Sequence, residues 1–317
     1  MYRSILVPLD GSSFSEQALP LAIKIAHQSG ATLNLVHVTG QYTFDPIYID
    51  GVPVIDANLH SRARDHARTY LEHVRERIIA ETPMSVHATL IDIATPDASN
   101  GTIAQVLAEH TASAAIDLVI MTTHGRAGLT RFWIGSVADG MVRHSCVPLL
   151  LLRPESQSQV IVPPTIRHIL LPLDGSARSE AIVEHALALG HAMHARYTLL
   201  RLVMPLIVGT TIPFTASADF DPARTQQLQA EAQHDLDRIA QQIQLAGAHA
   251  DTRVCVSTQI AATILEVAEE SHADLLALST HGRSGMARLL IGSVADKVLR
   301  GTHLPVLLFR PAISEPA

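Results

Sequence analysis

The chain has 317 residues, 47% of them apolar and 17% charged, with a formal net charge of −7. This composition excludes a disordered chain, and the acidic balance gives no electrostatic argument for a nucleic-acid or anionic-membrane partner. The length exceeds one ordinary core and suits two domains. The two cysteines, Cys146 and Cys255, exclude a disulfide framework and fit no metal or redox spacing.

The opening MYRSILVPLDGS reaches Asp10 after a very short apolar run, which is not the pattern of a signal peptide. No apolar run approaches the roughly 20 residues that span a bilayer. The expectation is a cytoplasmic protein with inert thiols in a reducing compartment.

In chain order, SILVPL reads as a buried strand ending at Asp10-Gly11. Ser13 to Glu16 has capping-box spacing, and Leu19, Ala22, Ile23 and Ala26 then form one helical face. Pro20 belongs in the first turns of that helix or kinks it. Gly30 ends it, and residues 31–38 form the second strand. Residues 39–57 read as irregular. Leu59, Ala63, Ala67, Leu71, Val74 and Ile78 step by three or four residues, as on a long amphipathic helix. Residues 85–92 form the third strand, and residues 98–112 a helix over Ile103, Val106 and Leu107. IDLVIMTTH is the fourth strand, residues 135–145 a last helix, and VPLLLLR the fifth strand.

The order then repeats. SILVPLDGS (4–12) returns as HILLPLDGS (168–176), and THGRAGLTRFWIGSVAD (123–139) returns as THGRSGMARLLIGSVAD (280–296), identical at twelve of seventeen positions. VPLLLLRP (147–154) returns as LPVLLFRP (304–311). The Asp10–Asp174 offset is 164 and the Gly125–Gly282 offset is 157, so the second half has lost a net seven residues between these anchors. Two domains follow, 1–156 and 164–312, joined near the polar, Pro-containing 155–164. In the second half the long helix opens at Asp221-Pro222, an N-cap followed by Pro, and closes at Gly247. Residues 204–220 match the irregular 39–57, and both read as crevice lids or an association surface.

Apolar strands alternating with helices imply an α/β fold, with each half a parallel sheet covered on both faces. Ligands of such sheets bind beyond the carboxyl ends of the strands, where the order reverses. In a flavodoxin-like 2-1-3-4-5 order, or its 3-2-1-4-5 variant, Asp10 or Asp174 would face the glycine loop that follows strand four. A strand–loop–helix junction aims backbone N–H groups and a positive helix end at one spot, which suits a phosphate. The plainer reading makes Ser136 and Ser293 helix caps, with Asp139 and Asp296 completing capping boxes. For the two aspartates it is a turn-forming Asp-Gly. Arg126, Arg131, Arg283 and Arg288 either clamp phosphate or point to solvent. His124 and His281 read as loop anchors. His185, His191 and His194 read as a surface face of one helix rather than a zinc site, since no carboxylate or cysteine cluster accompanies them.

With these motifs, the chain resembles the universal stress protein family in its tandem, two-domain form. The family's nucleotide-binding members carry Gly-x₂-Gly-x₉-Gly-Ser/Thr after strand four. Gly125 and Gly135-Ser136 fit that pattern, as do Gly282 and Gly292-Ser293; Thr122 and Ser279 stand where the first glycine would be. The resemblance implies a pair of five-stranded three-layer αβα units of the adenine nucleotide alpha hydrolase-like, flavodoxin-like kind. It also implies a stress-response role and ATP or another adenine nucleotide as ligand, with or without Mg²⁺. Asp10 and Asp174 would contact the nucleoside, and the backbone near Val38 and near Leu202 would read the base. Gly125, Arg126, Gly135, Ser136 and Val137, with Gly282, Arg283, Gly292, Ser293 and Val294, would hold the phosphates. Family members dimerise through strand five, which implies an intramolecular pseudo-dimer or a homodimer. The alternatives are a slow ATPase and an interaction protein with vestigial pockets. Walker A, H-E-x-x-H, G-x-S-x-G and dinucleotide motifs are all missing, so no dedicated catalytic set is expected.

Overall fold

The computed structural model describes residues 1–39, 47–49, 52–54, 59–93, 102–123, 134–154, 165–205, 207–208, 219–280 and 292–311. The chain divides into two compact units, Tyr2–Pro163 and Pro164–Ala317.

The first unit contains β1 (Ser4–Pro8), α1 (Ser13–Glu16), α2 (Leu19–Ser29), β2 (Thr32–Thr39), β3 (Ile47–Ile49), β4 (Val52–Val54), α3 (Leu59–Glu81), β5 (Val86–Asp92), α4 (Ile103–Ser113), β6 (Leu118–Thr122), α5 (Ser136–His144) and β7 (Leu149–Leu152). Its sheet is parallel throughout, in the order β5-β2-β1-β6-β7. This is the 3-2-1-4-5 arrangement. The 2-1-3-4-5 alternative would have put strand three between strands one and four. Ile5, Leu6, Val7, Leu118, Val119 and Ile120 are fully buried, because both faces of these strands are covered.

The second unit repeats the plan with β8 (His168–Pro172), α6 (Ala177–Glu180), α7 (Ile182–Met193), β9 (Arg196–Val203), β10 (Ile207–Val208), β11 (Asp219–Phe220), α8 (Pro222–Leu245), β12 (Ala250–Val256), α9 (Ile260–Glu270), β13 (Leu275–Ser279), α10 (Ser293–Gly301) and β14 (Val306–Phe309). Its parallel order is β12-β9-β8-β13-β14. The right-handed rule for parallel crossovers puts helices on both faces of each sheet. Among the described residues, no helix is long and apolar enough to cross a membrane.

Local chemistry explains most boundaries. Pro20 sits in the first turn of α2, where its missing N–H has no partner to lose, and Gly30 closes that helix at φ +65°. Asp221 caps α8 by accepting from the Arg224 N–H at 2.9 Å, with Pro222 beside it. Gly247 follows the end of α8 at φ +82°. Leu71, Val74 and Ile78 of α3, and Leu236, Ile239 and Ile243 of α8, form the buried stripes the spacing predicts.

Several expectations need correction. The cap of α1 is Ser12, not Ser13: its hydroxyl accepts from the Ser15 N–H at 3.2 Å. On α2, Leu19, Ala22 and Ala26 are buried as expected, but Leu21 and Ile25 join them and Ile23 is only half-buried. Thr102 caps α4 in a capping box with Gln105, and the helix buries Ala104, Leu107 and Thr111, leaving Ile103 exposed as the first residue past the cap. The stretches read as irregular contain short antiparallel pairs, β3 with β4 and β10 with β11. Of the three helix histidines, His191 and His194 are exposed and line one surface cavity, and only His185 turns away from them. His185 packs its ring 4.1 Å from that of Phe309, and His194 is the left-handed C-cap of α7 at φ +53°. The expected linker, 155–164, lies outside the described residues.

One buried histidine ties stability to pH. His168 is 4% exposed. The Ser271 carbonyl, 3.0 Å from Nδ1, can only accept, so Nδ1 carries the hydrogen. Nε2 then accepts from the Thr198 hydroxyl at 2.8 Å. Burial, reinforced by the Arg196 guanidinium, holds the ring below its usual pKa. A lowered histidine stabilises the fold above its unfolded value of about 6.5, and the contribution is lost as pH falls below that value toward the folded one. Thermal melts should therefore show a loss of Tm between about pH 7.5 and about pH 5 that shrinks in His168→Asn. An equal loss in both proteins would remove His168 from the account.

Candidate functional site

Each unit ends its central strand in the same Asp-Gly-Ser turn. In the first, Asp10 Oδ1 accepts from the Ser12 N–H at 3.0 Å and from the Ser12 hydroxyl at 2.6 Å. In the second, Asp174 Oδ1 accepts from the Ser176 N–H at 2.9 Å and from its hydroxyl at 2.6 Å. Gly11 and Gly175 make the turns possible at φ +81° and +78°. The same serine then caps the next helix, so one hydroxyl links the strand end to the helix start. The turn-forming reading of the aspartates is thus realised at Oδ1. It also holds each carboxylate at the carboxyl end of its strand.

The helix after strand four begins differently from the capping-box expectation. The N-cap of α5 is Gly135 and that of α10 is Gly292, and neither has a side-chain cap. Ser136 and Ser293 are already the first helical residues. The carboxylates expected to complete the boxes instead pair down the helix: Asp139 with Arg143 at 2.6 Å and Asp296 with Arg300 at 2.9 Å. The first helical bonds run from the Asp139 N–H to Gly135 O and from the Asp296 N–H to Gly292 O, both 2.9 Å. The helices themselves therefore provide no acceptor for the N–H groups of residues 136–138 and 293–295, the orphan donors of any helix start. That is the chemistry an anion meets at a helix N-terminus.

The glycine caps are held in place by the preceding strand. The Gly135 N–H donates to Thr123 O at 2.6 Å, and the Gly292 N–H to Thr280 O at 2.7 Å. A Cβ on Gly292 would lie 2.7 Å from that carbonyl, so only glycine fits. Thr122 and Ser279 sit in regular strand positions, paired with Leu152 and Phe309. The only non-glycine residues with positive φ among those described are Ala115, His194 and His272, so positions 122 and 279 do not demand a glycine conformation.

In the second unit these pieces converge on a cavity of about 590 Å³ at the strand ends, within the size range of small-molecule sites. Asp174, Leu202, Gly292, Ser293 and Val294, all predicted from sequence, line it. The structure adds Ser279 and Thr280 from the strand-four end, Arg201 from β9, Leu228, Glu231 and Asp235 from α8, and Ile260 and Ile264 from α9. Sequence reasoning missed Arg201, although an arginine inside the apolar TLLRLV was a usable signal. Glu231 and Asp235 were not singled out in the sequence. In the first unit, Asp10 follows β1, Val38 lies near the end of β2, and Gly135, Ser136 and Val137 open α5. The order β2-β1-β6 brings those ends to one edge of the sheet. Gly125, Arg126, Gly282 and Arg283, together with His124, His281, Arg131 and Arg288, lie outside the described residues. No group of three or more metal-ligating side chains occurs among the described residues.

Comparison with known proteins places these features in context. The sequence model of the universal stress protein family matches residues 1–153 and 165–310. A universal stress protein of Mycolicibacterium smegmatis is 24% identical over 313 residues, covering 97% of both chains. The Synechocystis universal stress protein Slr1230 is 23% identical over 317 residues, covering 97% of this chain and all of its own. Among solved structures, a universal stress protein of Archaeoglobus fulgidus superposes with a TM-score of 0.69 over 98% of each chain at 15% identity, a likeness of fold.

Two substitutions test this local reading. Gly292→Ala should destabilise the second unit by about 1–3 kcal/mol, because Thr280 O must move or lose its hydrogen bond. Ser293→Ala should change stability by less than about 0.5 kcal/mol, whereas Ser176→Ala, which removes a true cap, should cost about 1 kcal/mol. Denaturant unfolding of the three variants checks the ranking, and a Ser293→Ala cost equal to that of Ser176→Ala would restore Ser293 as a cap.

Proposed function

The chain belongs to the universal stress protein family, and from that membership we propose that it is a cytoplasmic stress-response protein binding ATP or a related adenine nucleotide as a regulatory ligand. The observation that carries the reading is the meeting of Asp174, Leu202, Gly292, Ser293 and Val294 on one cavity of about 590 Å³. In this reading the N–H groups that open α10 receive the phosphates and the Asp174 carboxylate takes a nucleoside hydroxyl. The backbone at Leu202 reads the base edge. Asp10, Val38, Gly135, Ser136 and Val137 do the same in the first half. Gly125, Arg126, Gly282 and Arg283 complete the phosphate loops, and Mg²⁺ accompanies the phosphates.

The vestigial-pocket reading rested on Thr122 and Ser279 closing the site. Against it, both residues continue a regular strand, and Ser279 lines an open cavity rather than filling it. For hydrolysis, the carboxylates on the cavity are Asp174, whose Oδ1 accepts from the Ser176 N–H and hydroxyl, and Glu231 and Asp235 of α8.

Titration calorimetry with Mg-ATP tests the proposal. Asp174→Ala should weaken one binding event about tenfold or more, and Asp10→Ala the other, each about 1.4 kcal/mol. No heat and no retained nucleotide at millimolar Mg-ATP would defeat it.

A further inference from the structure

The two halves differ in chemistry at one corresponding place. In the first half Leu33 pairs with Val86, and in the second Tyr197 pairs with Ala250, so His37 and Arg201 occupy the same position of strand two. The buried stripes Leu71, Val74, Ile78 and Leu236, Ile239, Ile243 likewise align Tyr70 with Asp235. The first half carries an aromatic pair, with the His37 and Tyr70 rings edge to face at 6.3 Å. The second carries an ion pair, with Arg201 Nη2 3.6 Å from Asp235 Oδ2. Both positions differ between the halves.

Arg201 is 7% exposed and lies against the turn that holds Asp174. Its Nη1 donates to Leu173 O at 3.5 Å, and a Cβ on Gly175 would collide with its guanidinium. Arg201 and Asp235 both line the cavity. β9 and β13 stand on opposite sides of β8, so Arg201 lies roughly 10 Å from the strand that leads to Gly292, two strand spacings away. It is at the nucleoside end, remote from the helix start. A guanidinium only donates hydrogen bonds, whereas an imidazole donates or accepts according to tautomer. Burying the Arg201 guanidinium is costly even beside a carboxylate, and Asp235 is itself 44% exposed, whereas the first half fills the same place with two rings and no formal charge.

Resting on the nucleotide reading above, but not on its choice of adenine for the second half, we infer that Arg201 is the specificity-determining residue of the second-half crevice, selecting nucleotides that bring an acceptor oxygen to the nucleoside end, with Asp235 as its positioning partner. Two sources offer that oxygen: the carbonyl of a 6-oxo-purine, and a phosphate carried on the ribose. The first half, with His37 and Tyr70, lacks this selection, so one chain ranks nucleotides in two ways.

The test is calorimetry on the full chain with ATP, GTP and adenosine 3′,5′-bisphosphate. At one of two sites, GTP or the bisphosphate should bind about tenfold tighter than ATP. GTP as the tighter ligand identifies the base carbonyl, and the bisphosphate the ribose phosphate. Arg201→His combined with Asp235→Tyr should abolish the preference, while Asp235→Asn, which keeps the guanidinium and an acceptor oxygen to position it, should retain it. His37→Arg combined with Tyr70→Asp should create the preference in the first half, and it decides the question if the second-half double variant does not fold. Binding of all three ligands with one ranking in every variant overturns the role of Arg201 and leaves the nucleotide reading standing. Binding of none of them overturns both.

Discussion

Everything in each half depends on the central strand having a parallel partner on both sides. β1 lies between β2 and β6, and β8 between β9 and β13. The chain leaves this strand in one direction through two crossovers and must then return past it to add the remaining two strands. With every crossover right-handed, the helices on the two sides of that reversal cover opposite faces. They part at the carboxyl ends of the strands and leave a crevice there. The strand interiors are apolar and covered on both faces, so polar chemistry collects at the strand ends. The cavity beside Asp174, Leu202 and Ser293 follows from that constraint.

The walls of the crevice are built by economical local devices. An Asp-Gly-Ser turn both stops the central strand and starts the next helix, because one serine hydroxyl bonds to the aspartate and also caps the helix. At the other wall a glycine, not a serine, occupies the cap, and a strand carbonyl grips its N–H. The two starts have opposite consequences. A side-chain cap satisfies one of the orphan N–H groups of its helix, whereas a bare glycine cap leaves those groups facing the crevice. The aspartates four residues on, Asp139 and Asp296, bind arginines one turn further along the helix and contribute no capping bond.

Duplication preserved this frame more strictly than the surfaces lining it. The Asp117 carboxylate accepts from the N–H groups of Arg3 and Ser4, as Asp274 does from those of Arg167 and His168. The turn bonds at Asp10 and Asp174 agree to 0.1 Å or better in distance. By contrast, His37 and Tyr70 in one half stand where Arg201 and Asp235 stand in the other. A residue that shapes a backbone turn has few substitutes, whereas a residue facing an open crevice is constrained only by what occupies it.

The element order, the parallel sheets, the duplication and the positions of Asp174, Gly292 and Ser293 were legible in the chain alone, because they follow from periodicity, turn chemistry and a local repeat, whereas Leu202 and Val294 came only from the family resemblance. Tertiary structure decided the rest. Which of Ser12 and Ser13 caps α1, and whether Ser136 or Gly135 begins α5, depends on backbone angles that spacing does not encode. The strand order 3-2-1-4-5 depends on which edges pair. The entry of Arg201, Glu231 and Asp235 into the cavity depends on bringing β9 and α8 beside a turn some 26 to 61 residues earlier in the chain. Local pattern reports which face of an element a residue occupies; only long-range packing determines what that face meets.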